Sequence, residues 1–167
     1  MQRFNFIKKH NSEENYVNMY DFWKSIQKTS ANKKNIYSPF KNQVELLYIS
    51  LLVGLKLEIK DDISKYELVD INDNWTDELK NSKASDYIIG LYLNKITKKF
   101  AENKADINKK LNEVLDNNSN TKLSANGLKE LHEYAFGGYN EILKAHDYKV
   151  PDTLVDFFLK TYSLLNS

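Results

Sequence analysis

The 167 residues have the length of one domain, and 41% hydrophobic with 28% charged residues is enough to build a core in a chain that stays in solution. With no cysteine, the chain cannot form thiolate metal sites, iron–sulfur clusters, a cysteine nucleophile or a disulfide scaffold, and a reducing, cytoplasmic location is expected. The formal net charge is +1, and no stretch approaches the about eighteen consecutive apolar residues of a spanning helix, so no membrane segment and no export signal are expected.

Residues 1–12 show no helical spacing and read as a flexible N-terminal arm ahead of a single helical domain over residues 13–167. Tyr16, Met19, Tyr20, Trp23 and Ile26 then recur at three- and four-residue steps, the spacing of one apolar helix face. Ser38-Pro39 is a helix-start signal: serine can cap the free amides, and proline loses no bond at the first helical position. Behind it, Val44 to Val53 is apolar nearly all round and predicts a central buried helix ending near Gly54.

Leu57-Glu58-Ile59 and Tyr66-Glu67-Leu68 alternate around the turn-forming Asp61-Asp62, and predict a short β-hairpin near residues 57–71. Helical spacing returns with Ile88, Ile89, Tyr92, Leu93, Ile96 and Phe100, and again with Ile107, Leu111, Val114 and Leu115. Ser124 opens a helix running to about Asp147. Past Pro151 a last helix offers Leu154, Val155, Phe158, Leu159, Tyr162 and Leu165. The expected fold class is therefore all-α in the main, a compact bundle of about six helices with a short β-hairpin.

The motifs that could carry chemistry are incomplete. His132-Glu133 begins a zinc-protease pattern, but the second histidine would have to stand at position 136, which is Phe136. Glu58-Ile59-Lys60 matches the acid-x-lysine tail of a nuclease signature without the upstream acid on a paired strand. No glycine-flanked serine elbow, Walker loop or dinucleotide glycine pattern is present, so no catalytic residue, cofactor or metal is expected.

Charge is unevenly distributed. Residues 1–42 hold eight basic against three acidic side chains, residues 57–90 four against nine, and residues 91–110 six against two. Lys8, Lys9, Lys33, Lys34, Lys95, Lys98, Lys99, Lys109 and Lys110 are thus candidate phosphate contacts of a stand-alone nucleic-acid-binding module, sequence-tolerant and salt-dependent. The single arginine, Arg3, weighs against reading of base edges.

Gly137-Gly138 interrupts a helical pattern at a cost of roughly 1 kcal/mol per glycine, which a close approach of something to the backbone has to offset. Together with the aromatic residues beside it, it defines the expected partner-binding surface: Tyr134, Phe136, Gly137, Gly138 and Tyr139. On an open surface of that kind, bulk at Gly138 would block a partner and leave the fold intact.

Two segments carry a resemblance. Pro39-Phe40 leading through Glu45-Leu46 into an apolar helix that ends at Gly54-Leu55 resembles the opening of small accessory proteins encoded with bacterial DNA phosphorothioation (Dnd-type) modification and anti-phage defence genes. Glu133-Tyr134-Ala135-Phe136-Gly137-Gly138, followed by Ile142-Leu143, is similar to that group's Glu-Tyr-Ala-x-Gly-Gly signature, and Asp86 to Leu91 looks like its intervening helix. Tyr48 and Ile49 replace small residues of the group, and the helix after Pro151 is additional. The resemblance implies an accessory protein of a DNA-modification or anti-phage operon; with no catalytic motif present, the expected role is a non-catalytic subunit bound to a larger defence-system protein, an ATPase, an SMC-like ATPase or a nuclease, and the lysines make DNA the alternative partner.

Overall fold

The computed structural model describes residues 3–31, 40, 42–72, 74–81, 83–100 and 103–166. Its first element is a strand, β1 (Phe4–His10), followed by helices α1 (Met19–Ala31) and α2 (Gln43–Leu57), strand β2 (Tyr66–Asn72), and helices α3 (Asp77–Asn81), α4 (Ala84–Thr97), α5 (Lys104–Val114), α6 (Ala125–Ala145) and α7 (Leu154–Asn166). The fold is mainly α-helical with one small two-stranded antiparallel sheet, as the sequence predicts.

The expected arm is instead a buried strand. Phe4, Phe6 and Ile7 are wholly inaccessible, and β1 pairs with β2 in a register that sets Phe6 against Val69 and His10 against Tyr66. A bulge between Ile7 and Lys9 shifts the alternation and leaves Lys8 and Lys9 exposed. The strand expected in residues 57–71 is present as β2, but its partner comes from the N-terminus and not from a local hairpin, and Leu57 and Glu58 belong to the end of α2.

The centre of the molecule is the packing of α2 on α6. As expected, α2 is buried on most sides, including Leu46, Leu47, Leu51, Val53 and Leu55. It starts later than the sequence signal suggests: Asn42 is the N-cap, its side chain accepting the Glu45 amide, while Ser38-Pro39 lies outside the described residues. It also continues one turn past Gly54, to a C-cap at Glu58 held in the left-handed region at φ 59°.

Glycine makes the crossing possible. A Cβ on Gly138 would lie 1.9 Å from the Ser50 carbonyl oxygen, and one on Gly54 would lie 1.9 Å from the Tyr134 carbonyl oxygen. Each of these is backbone that cannot swing away, so only glycine allows the two helices to approach this closely. At Gly137 a Cβ would meet the Ile59 carbonyl at 2.6 Å.

Around this pair, α4 contributes Ile88, Ile89, Tyr92 and Ile96, α1 contributes Met19, Phe22 and Ile26, and α7 contributes Phe157. Ser124 caps α6 as predicted, accepting the Gly127 amide. His132 joins the sheet to α6: its Nε2 accepts the Asn5 amide of β1 at 3.0 Å, and burial lowers its pKa to about 4, so the ring is neutral.

Candidate functional site

The residues expected to form a partner surface are interior. Phe136 and Tyr139 have no accessible surface, Tyr134 retains 7%, and Gly137 and Gly138 face Ile59 and Ser50. Tyr139 donates its hydroxyl hydrogen to the Val17 carbonyl at 2.8 Å, and the Lys60 ammonium lies over the Tyr134 ring at 4.7 Å. Phe136 packs on Tyr66 and His132, and Tyr139 on Phe22, so a partner cannot reach this set without opening the core, and its role is internal packing.

Of the expected lysine contacts, Lys9, Lys98 and Lys109 are exposed, and Lys8, Lys95 and Lys110 are engaged by carboxylates. Lys33 and Lys34, and the side chain of Lys99, lie outside the described residues. Lys8 pairs with Glu67 on the neighbouring strand and Lys95 with Glu58. Lys110 pairs with Glu113 and Glu130, both at 3.1 Å. Glu130 also takes Lys60 at 2.5 Å and the Tyr92 hydroxyl at 3.1 Å. Glu58-Ile59-Lys60 therefore forms a helix cap followed by an ion-pair partner of α6, not the paired strand that a nuclease metal site requires.

The structure assembles a different polar constellation. Asp61 from the α2–β2 connection, Tyr66 at the start of β2, Tyr16 from the β1–α1 loop, and Asn140 from α6 converge. Asp61 can only accept, so the Asn140 amide nitrogen must face it, at 2.6 Å; the same nitrogen donates to the Tyr66 hydroxyl at 2.8 Å. Tyr66 then donates to Asp61 at 2.7 Å, Tyr16 donates to the Asn140 carbonyl oxygen at 2.7 Å, and Lys65 donates to the other Asp61 oxygen at 2.5 Å.

These bonds fix the protonation states. Partial burial works to raise the Asp61 pKa, but the donors from Lys65, Tyr66 and the Asp62 amide outweigh it and hold the carboxyl below its usual range. Burial pushes the Tyr16 and Tyr66 phenols well above theirs, helped by the nearby Asp61 charge. At neutral pH the constellation is one carboxylate saturated with donors and two neutral phenols. Its hydrogen bonds tie the α2–β2 connection, β2, the β1–α1 loop and α6 together.

The constellation is the floor of a cleft. A polar hollow of about 220 Å³ over Asp61, Tyr66 and Asn140 adjoins an open groove of about 400 Å³, and the two share Glu13, Tyr16 and Tyr148. Tyr148 stands at the mouth, 62% exposed, on the turn that caps α6, where it and Asp147 both take the left-handed conformation and the Tyr148 amide donates to the Leu143 carbonyl. Glu13 and Glu14 line the groove, whereas the hollow's lysines each face an acid, Lys65 on Asp61 and Lys144 on Glu141 at 3.7 Å. The field at the mouth is therefore acidic.

Nothing local in the sequence marks this site. Its residues come from four separate segments, with Tyr16 reading as part of a helix face and Asp61 as turn chemistry. Comparison with protein-family models, with curated proteins and with solved structures finds no match for the chain.

Proposed function

We propose that the protein is a non-catalytic accessory subunit of a bacterial DNA-modification or anti-phage defence complex, and that it holds a larger ATPase or nuclease subunit through the tyrosine-lined groove. The defence setting is supported by the resemblance of residues 39–55 and 133–138. In the fold, residues 43–55 and 133–138 of these segments lie on the two sides of one helix crossing.

The observation that carries the binding role is the groove itself. It is a concave surface with exposed aromatic area and an acidic mouth, set on a hydrogen-bonded floor that cannot collapse when a ligand arrives. The occupant that suits it is a segment of the partner with an apolar side chain flanked by lysine or arginine. DNA is the weaker candidate, because three of the lysines that would meet phosphates already face carboxylates.

Co-expression with the products of the neighbouring genes, followed by affinity purification, tests this reading. The native chain is expected to retain a larger subunit, and Tyr148→Gly to lose it. Glycine suits the left-handed backbone at that position, so the variant should keep the native circular dichroism and melting temperature. Recovery of the native chain alone under gentle conditions would overturn the proposal.

A further inference from the structure

The last helix exposes the wrong side for a monomer. Val155, Leu159 and Tyr162 of α7 are 67%, 63% and 67% exposed and Phe158 is 45% exposed, while Phe157 and Thr161 are the side chains that α7 buries. The four exposed residues fall at steps of three, one and three, a single stripe along one helix face.

The spacing of the stripe reads the same in both directions, and from this and its exposed apolar area we infer that α7 is the two-fold interface of a homodimer, packed antiparallel against α7 of a second copy. If the symmetry axis passes between Phe158 and Leu159, Val155 meets Tyr162 of the second copy, and Phe158 meets its Leu159. Each contact then sets a larger side chain against a smaller one, as interdigitated packing requires.

The area is sufficient. Phe and Tyr bury on the order of 150–250 Å² each and Val and Leu less, so the stripe exposes roughly 400 Å² per copy. Two copies remove at most roughly 800 Å² from the stripe, and the polar rim along α7 supplies the rest of the about 1,000 Å² of a specific interface. Phe158 is held in place beforehand, its ring 5.4 Å from that of Phe157 and 6.5 Å from that of Phe40, so little side-chain freedom is lost on association.

Sedimentation equilibrium of the purified native chain at tens of micromolar should give twice the 19.6 kDa chain mass. Leu159→Lys should give the monomer mass with unchanged circular dichroism, since the side chain it replaces is outside the core. Because the chain has no cysteine, orientation is testable directly. A mixture of Val155→Cys and Tyr162→Cys chains treated with a short bis-maleimide should cross-link between the two variants, and Val155→Cys alone should not. A monomeric native chain, a Leu159→Lys variant that remains dimeric, or cross-linking of Val155→Cys to itself would each overturn the inference.

Discussion

At the scale of single residues, two glycines in comparable helical positions have opposite roles. A Cβ at Gly138 would overlap the Ser50 carbonyl, whereas at Gly90, exposed on α4, it would meet nothing within 4 Å. Gly138→Ala is therefore expected to force α2 and α6 apart and to cost about 3 kcal/mol, the upper range for overpacking. Gly90→Ala is expected to stabilise the fold by about 0.5–1 kcal/mol, because the helix gains propensity and loses no space. Thermal melts of the two variants should move in opposite directions. A Gly138→Ala protein as stable as the native one would mean that the helices do not cross here. The sequence carried half of this information: the cost of adjacent glycines inside a helix showed that something approaches the backbone, but not whether that something is another molecule or α2. Only the position of Gly54, one helix away and 84 residues earlier in the chain, resolves it.

Among the elements, those with a strong local period were legible and those defined by a distant partner were not. The buried face of α4 follows from three- and four-residue spacing, the burial of α2 from its apolar residues on nearly all sides, and the Ser124 cap from its chemistry, whereas on α6 the helix was legible but Tyr134 to Tyr139 were placed on a surface and are buried. On α7 the same spacing identified a helix without telling its faces apart. It carries apolar residues on two sides, and periodicity alone does not say which side meets the core: Phe157 is buried, while the stripe from Val155 to Tyr162 is not. Strand β1 was missed because the alternation in Phe4-Asn5-Phe6 ends at a bulge after three residues, and because its partner β2 lies about sixty residues away. The groove was invisible for the same reason, being built from Tyr16, Asp61, Tyr66 and Asn140 on segments that no motif links. If residues 4–10 are a core strand, Phe6→Ala should cost about 3–5 kcal/mol in urea denaturation, the range for removing a buried phenylalanine. A change below about 0.5 kcal/mol would restore the flexible arm.

For the whole molecule, the most consequential feature is that β1 is joined to α6 through a histidine that must stay neutral. The His132 Nε2 accepts from Asn5, and the ring donates from its other nitrogen to the Leu128 carbonyl, so there is no room for a second proton. Its pKa falls from 6.5 to about 4 on folding, chiefly through burial. Between those values the unfolded chain binds a proton that the folded chain does not. Stability is therefore complete above pH 6.5 and declines with acid by about 1.4 kcal/mol per pH unit, about 3 kcal/mol in all, before levelling off near pH 4. His146 adds to the slope in the same direction: burial, and then the Lys160 charge, lower its pKa, with the Asp156 carboxylate opposing. Glu130 and Asp61, both depressed by their lysine donors, extend the loss below about pH 4.5, where carboxylates take up protons. Urea titrations between pH 7.5 and 4.5, at one protein concentration so that dimerisation does not enter, should show this decline. In His132→Gln the slope above pH 4.5 should fall to the part due to His146, because an amide oxygen can accept from Asn5 without titrating. Should that variant prove too unstable to measure, imidazole resonances of the native protein give the answer directly: one histidine must titrate near pH 4, and a value near 6.5 for all three would show that the sheet is not fastened to α6 in this way.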